Sequence, residues 1–222
     1  MAEISGVLAI YCVVQWCWFL DRPLAQTHAD IGAGIMVPTY VTGPGSTGWW
    51  AMIITLVVAG MVLAMNAFSY VFLWSRNPQL WAPPPQLLSL GLVISAYVAA
   101  GLLAWGAARV LRRDRPPAAA GMMLLAAVLA CAGWGADLQA WLATALRPEA
   151  NAQGAMVFAF LAWQGFFAAI VAIMGAYAVA RWLAGKIGAR RTATFDLIAL
   201  FIVYTACQGL VSTLLTRLFP GG

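Results

Sequence analysis

The sequence predicts an all-α fold: a polytopic membrane helical bundle of six transmembrane helices, with both termini outside (periplasmic). Its composition is 64% hydrophobic and only 9% charged, with a mean hydropathy of +0.86. Its apolar residues come in blocks, and its basic residues fall mostly in alternate connections between those blocks. A soluble domain of 222 residues could not bury so much apolar surface. The chain therefore belongs in a bilayer.

Six apolar blocks are long enough to cross about 30 Å of hydrocarbon at about 1.5 Å per residue. They cover residues 4–20, 48–74, 87–111, 118–146, 155–184 and 193–219. The first block is short enough to be a signal peptide. However, no basic residue precedes it, and Asp21 and Arg22 stand where a small-residue cleavage site would lie. We interpret it as a retained span.

The connections divide the chain into two parts. Residues 1–47 are predicted to form the first transmembrane helix and a Gly/Pro-rich cytoplasmic loop, and residues 48–222 a five-helix bundle. The long loop contains "IGAGIMVPTYVTGPGSTG", and a loop of this length usually packs on the protein or carries a function. The connection at residues 75–85 contains three consecutive prolines, which stop the preceding helix.

The distribution of basic residues predicts the orientation. Nine of the 12 lie in or beside the connections at 21–47, 112–117 and 185–192, and three lie at the opposite end of the spans. Excess Lys and Arg mark the cytoplasmic side, so these three connections are predicted to face the cytoplasm. The basic clusters indicate topology and favour anionic lipid rather than nucleic acid. Interfacial aromatic residues and a basic cluster at this side predict a lipid headgroup site formed by Trp49, Trp50, Arg112 and Arg113.

Alanines recur every four residues along two of the predicted spans. Such small-residue stripes allow helices to pack closely in a membrane. We therefore expect both stripes to face other helices. The stripes consist of Ala96, Ala100, Ala104 and Ala108, and of Ala168, Ala172, Ala176 and Ala180.

Few polar side chains lie at membrane depth. Gln164, in "FLAWQGFF", and Gln208 lie at similar depths in two antiparallel helices joined by a short loop. Because an amide facing lipid is costly, we expect at least one of them to hydrogen-bond across the helix interface, to the other amide or to Tyr204. Asp137, near the outer end of the fourth predicted helix, is interpreted as another interhelical polar contact.

No catalytic, cofactor-binding or metal-binding residue is predicted. Asp196 lies in the first turn of a helix beside Arg190 and Arg191, a favourable position for a carboxylate. His28, in the long loop near Asp30, is only a weak metal pattern. Haem, copper or iron would require ligands that the sequence lacks. The cysteines fall within predicted spans, where thiols usually act as small apolar fillers: Cys12, Cys17, Cys131 and Cys207.

Several segments, taken in order, resemble cytochrome c oxidase subunit III. "TYVTGPGSTGWWAMIITLVV", "FSYVFLW" and "LWAPPP" resemble its third helix and the following loop. "GAMVFAFLAWQGFFAAIVAIMG" resembles its penultimate helix, and "TATFDLIALFIVYTACQGLVSTLLTRLFPG" its last. The nearest variant is the subunit III portion fused behind subunit I in some bacterial oxidases. The resemblance covers residues 41–222, and full-length members have two spans before this region where this sequence has one.

The chain departs from the family at its titratable positions. The usual carboxylate of the third helix falls at Ala59 or Gly60, and Asp137 takes the place of a glutamate in the fourth. The two histidines of the penultimate helix fall at Gln164 and Phe167. The Trp and His of the last helix fall at Ile202 and Val203. Gln164 thus keeps a polar contact, without the charge, where the family has an imidazole.

The resemblance implies a non-catalytic subunit of a respiratory haem–copper cytochrome c oxidase in the bacterial inner membrane. Such a subunit stabilises subunit I, binds structural phospholipid and supports proton uptake. Haem and copper are then expected in the partner subunits I and II, and no cofactor in this chain. The alternatives are an accessory subunit of nitric oxide reductase, which shares the fold, and a small transporter or scaffold protein. A transporter is disfavoured because the sequence has neither a broken helix pair nor a central charge.

Overall fold

The computed structural model describes residues 28–30, 32, 34–38, 46–188 and 192–219. The chain divides into two units, Met1–Val41 and Thr42–Gly222. The helix predicted at residues 4–20 lies outside the described residues.

The first unit contains a short antiparallel β-hairpin of strands β1 (His28–Asp30) and β2 (Met36–Pro38). Gly32 and Gly34 make the turn possible because both have positive φ angles, 110° and 76°, which glycine adopts without steric cost. The expectation that His28 lies in a loop is therefore wrong.

The second unit is an all-helical bundle, and its five helices are long and apolar enough to cross a membrane. This confirms that the chain has the architecture of a multi-pass membrane protein. The helices are α1 (Thr47–Arg76), α2 (Leu87–Arg112), α3 (Pro116–Leu142), α4 (Ala152–Leu183) and α5 (Ala193–Leu218).

Side chains near the helix ends fix where several helices begin and stop. Ser46 accepts a hydrogen bond from the Trp49 amide at the start of α1, and Asn151 accepts one from the Gly154 amide at the start of α4. At the end of α3, Thr144 Oγ1 donates to the Trp141 carbonyl and accepts from the Leu146 amide. Because this hydroxyl competes with the helical pattern, α3 stops at Leu142 rather than at residue 146 as predicted.

Helix α5 occupies the centre of the bundle. It contacts the other four helices, and it is the most buried of the five, whereas α1 packs mainly on α4 and α5 and is the least buried. Helices α2, α3 and α4 pack side by side in that order, and each of them contacts α5. Polar residues on α5 therefore have neighbours on several sides.

The two alanine stripes have different outcomes. In α2, Ala100, Ala104 and Ala108 are buried and Ala96 is half-buried, so the first stripe does face other helices. Of the α4 stripe, only Ala168 is buried. Ala172, Ala176 and Ala180 are exposed, so the described helices do not cover them and their burial stays a prediction. Residues four apart rotate by about 40° per step around a helix of 3.6 residues per turn. The stripe therefore drifts off the contact face, which continues through Val171, Gly175 and Ala178.

Candidate functional site

The C-terminal half of α5 carries a column of buried polar side chains. A buried polar group in an apolar environment is costly unless it is hydrogen-bonded. Three hydroxyls of this column donate to carbonyls of α5 itself, and the other three side chains bond to neighbouring helices. Its members are Thr205, Gln208, Ser212, Thr213, Thr216 and Arg217.

Two amides meet in the middle of the bundle. Gln208 Nε2 donates to Gln164 Oε1 at 2.8 Å, and Gln164 Nε2 donates to the Thr205 carbonyl at 3.0 Å. Both glutamine side chains are buried, so the amide pair joins α4 to α5 without exposing either residue to lipid. The interhelical hydrogen bond expected from the sequence is present in this form.

Tyr204 does not take part in the amide pair. Its hydroxyl is buried and has no hydrogen-bond partner among the residues that the structure describes. A Cβ placed on Gly60 of α1 would lie 3.8 Å from that hydroxyl, and the ring packs against Phe167. The side chain thus points towards α1 rather than towards the amides. The prediction that Tyr204 makes an interhelical polar contact is therefore wrong for the described residues.

Tyr97 of α2 brings a third side chain to the amide pair. Its side chain lines the same small cavity as Gln164, and its ring is buried between α3 and α5. A Cβ on Gly209 would clash with the ring, and one on Gly133 would lie 3.3 Å from it. These glycines therefore create the space that lets Tyr97 reach this cavity. The sequence analysis did not identify Tyr97, although glycines on two helices are a signal of close approach.

An ion pair lies near the C-terminal ends of α3 and α5. Arg217 Nη2 donates to Oδ1 of Asp137, and Thr213 Oγ1 donates to Oδ2 at 2.9 Å. The other guanidinium nitrogen, Nη1, donates to Ser89 Oγ of α2 at 2.9 Å. Asp137 and Arg217 are only 5% and 8% exposed, so the charges neutralise each other inside the bundle. The polar contact predicted for Asp137 is present, and it connects three helices.

Arg217 is one of the three basic residues at the opposite end of the spans, and the sequence analysis does not identify it as the partner of Asp137. One signal was available in the sequence. Alternate helices of an antiparallel series run in the same direction, and Asp137 and Arg217 both lie close to the C-terminal ends of such helices. Opposite charges at equal depth in apolar helices indicate a pair.

Two further contacts fix the same end of the bundle. Gln153 at the start of α4 both donates to the Ala82 carbonyl (3.0 Å) and accepts from the Ala82 amide (2.7 Å). This pair of bonds holds the connection between α1 and α2 against α4. The Tyr70 hydroxyl of α1 donates to the Thr216 carbonyl of α5 at 3.2 Å. Neither contact was predicted.

The opposite end of the bundle carries the residues predicted to hold a lipid headgroup. Arg112 Nη2 donates to Asp196 Oδ1 at 3.0 Å, so among the described residues Asp196 pairs with Arg112. Arg190 and Arg191, which the sequence places beside Asp196, lie outside the described residues. The Arg112 side chain remains 62% exposed and Arg113 is also exposed.

The two tryptophans lie at this same end. Gly48, just before them, is adjacent to Leu197, the residue that follows Asp196. Trp50 is exposed and Trp49 half-buried. Trp49, Trp50, Arg112 and Arg113 thus lie at the same end of the bundle, and lipid binding there stays a prediction.

Neither metal-binding clusters nor disulfides occur in the described part of the chain. No group of three or more His, Cys, Asp or Glu side chains there could hold a metal ion. Cys131 and Cys207 are free thiols, and Cys131 donates to the Ala168 carbonyl. Among the described residues, the interactions shown by the buried polar groups are ion pairing and hydrogen bonding within the chain.

Comparison with known proteins adds no assignment. No model of a known protein family matches the chain, and a search of curated proteins finds no match.

Proposed function

We propose that this chain is a non-catalytic, subunit III-like membrane subunit of a respiratory haem–copper cytochrome c oxidase. In this role it packs against subunit I, binds structural phospholipid and supports proton uptake in a bacterial inner membrane. Haem and copper belong to the partner subunits I and II. The proposal includes six transmembrane helices with both termini in the periplasm. Its support is the ordered resemblance of three segments across residues 41–222.

The observation that carries the non-catalytic role is the internal pairing of the buried polar groups. Asp137 is neutralised by Arg217, and Gln164 is bonded to Gln208. Gln153 is occupied by the backbone of the neighbouring connection. Side chains committed in this way hold helices together, and a reaction would require them to be available to a substrate. The arrangement suits a subunit that supports a catalytic partner.

The test is purification of the tagged chain from its native membrane in a mild detergent, followed by a visible spectrum and identification of the co-purifying subunits. Haem a together with oxidase subunits I and II would support the proposal. Haems b and c without haem a would instead indicate an accessory subunit of nitric oxide reductase. A chain that purifies without any haem protein would reject both and favour a transporter or an independent scaffold. An unrelated tagged membrane protein of the same host controls for non-specific recovery.

A further inference from the structure

A small cavity lies inside the bundle, between α2, α3, α4 and α5. Its volume is about 10 Å³, which is close to the minimum space that a single water molecule needs. Apolar cavities of this kind stay dry, whereas a cavity with two to four polar partners holds water. The polar residues that line this one are Tyr97, Asp137, Gln164, Ser212, Thr213 and Thr216.

The polar wall of the cavity is rich in acceptors, because its hydroxyl protons are already committed. Ser212 Oγ donates to the Gln208 carbonyl at 2.8 Å, and Thr216 Oγ1 donates to the Ser212 carbonyl at 3.0 Å. Thr213 Oγ1 donates to Asp137. Each hydroxyl has one proton, so the lone pairs of its oxygen remain as acceptors. Trp141 also lines the cavity, and its buried Nε1–H has no acceptor among the described residues. A ligand that both donates and accepts hydrogen bonds would therefore match this wall.

The two groups on either side of the cavity have acceptor capacity left. The Asp137 carboxylate accepts one bond from Arg217 and one from Thr213, whereas an ionised carboxylate can accept about four. Gln164 lines the cavity and is 3% exposed. Its Oε1 accepts one hydrogen bond, from Gln208, although an amide oxygen has two lone pairs.

We propose that one ordered water molecule occupies this cavity and donates hydrogen bonds to Asp137 on one side and to Gln164 Oε1, the cavity-lining member of the amide pair, on the other. Water fits the space and supplies the two donors that the wall needs. A metal cation does not fit, because Arg217 already neutralises Asp137. The water connects the amide pair to the ion pair, so that a continuous set of hydrogen bonds runs from the middle of the bundle to Ser89.

Radiolytic hydroxyl-radical labelling of the full chain in lipid nanodiscs tests the proposal, because radicals formed from a bound water label the side chains around it. Phe160 lines the cavity and Phe201 does not, although they are similarly buried, 2% and 4% exposed. The expected result is several-fold stronger labelling of Phe160 than of Phe201. Equal, background labelling of the two rings would overturn the proposal.

A pair of matched variants tests the same site by stability. Val157 lines the cavity, and Val171 lies elsewhere on the same helix; both are fully buried. Val157→Ile places a methylene group in the cavity. If water is displaced, the variant loses the Phe160 label and its Tm falls, because Asp137 and Gln164 lose their donor. A raised Tm would show that a dry void had been filled, and would overturn the proposal. Val171→Ile is expected to lower the Tm while leaving the Phe160 label unchanged.

Discussion

Gln164 and Asp137 both occupy apolar helices, yet their side chains differ in how strongly they depend on a partner. An amide is neutral, and interhelical hydrogen bonds in membranes average only about 0.6 kcal/mol. A carboxylate left without its counter-ion strands a charge, and loss of one partner of a buried pair costs about 3–5 kcal/mol. Residue identity predicted the polar contacts of Gln164 and Asp137. It did not reveal that Tyr97 shares a cavity with Gln164, because this depends on the space left by Gly209.

Replacement of Gln164 by Leu should leave the fold and any associated oxidase activity largely intact. Leucine is apolar and removes the bonds to Gln208 and to the Thr205 carbonyl, each of which contributes on the order of 0.6 kcal/mol. Thermal unfolding of the purified complex and its turnover measure the effect. Gln139→Leu, at an exposed position of α3, is the control. Abolished turnover in an assembled Gln164→Leu complex would contradict a structural role.

Removal of the Asp137 carboxylate alone should destabilise the bundle strongly. Asp137→Leu leaves Arg217 buried and charged, with an expected loss of about 3–5 kcal/mol in unfolding free energy. The double variant Asp137→Leu/Arg217→Met should recover most of that loss, because an apolar pair often replaces a buried ion pair without cost. Denaturant unfolding in detergent measures both variants.

The ion pair between Arg112 and Asp196 supplies the control for that measurement, because its arginine is 62% exposed. Asp196→Asn should change the unfolding free energy by only about 0–1 kcal/mol, because Arg112 remains hydrated when its partner loses the charge. If Asp137→Leu has an effect as small as that of Asp196→Asn, the buried pair is not stabilising the bundle.

For the five described helices, the sequence predicts the beginning and end of each helix better than the face that each helix buries. Long apolar blocks with caps and prolines at their ends predict where a helix begins and ends, because these signals are local. The face that a helix buries depends on its neighbours. Gly175 lies on the contact face of α4, whereas Ala172, selected from a four-residue spacing, is exposed. A strict four-residue period does not follow a nearly straight helix of 3.6 residues per turn.

Substitutions on the two faces of α4 should therefore have opposite outcomes. A Cβ on Gly175 would lie 2.6 Å from Ala127 Cβ, so Gly175→Ala should lower the unfolding free energy by about 1–3 kcal/mol through over-packing. Ala172→Leu should leave stability unchanged. Thermal unfolding distinguishes them, with Gly135→Ala as a control that has open space around its added methyl group. A stable Gly175→Ala variant would show that α3 and α4 do not approach this closely.

At the scale of the whole molecule, the prediction of a membrane helical bundle is based on composition. Composition is sufficient to predict this class of protein. Mean hydropathy and block length predict the class of protein because the bilayer has a fixed thickness. The central position of α5 could not be predicted in the same way. It depends on helix–helix contacts distributed along the whole bundle. The residues next to Asp137 in the sequence do not indicate that Arg217 is its partner; only the similar depth of the two residues does.

The orientation can be tested with reporter fusions. Nine of 12 basic residues lie near the predicted cytoplasmic connections, so fusions after Arg115 and after Arg191 should report cytoplasm. A fusion after Asn77, in the connection between α1 and α2, is the control and should report periplasm. A periplasmic signal after Arg115 or Arg191 would reverse or break the proposed topology.

The central position of α5 has a consequence for biogenesis. This helix is synthesised after the four helices that surround it, and it supplies the counter-ion of Asp137 and the amide that bonds Gln164. While ribosomes are still translating α5, the earlier helices hold a carboxylate and an amide in the membrane without these partners. The first four helices are therefore inserted before the bundle can be completed. During this interval an insertase or membrane chaperone can protect the nascent chain. A chain arrested before Ala193 is expected to be a substrate for membrane proteases.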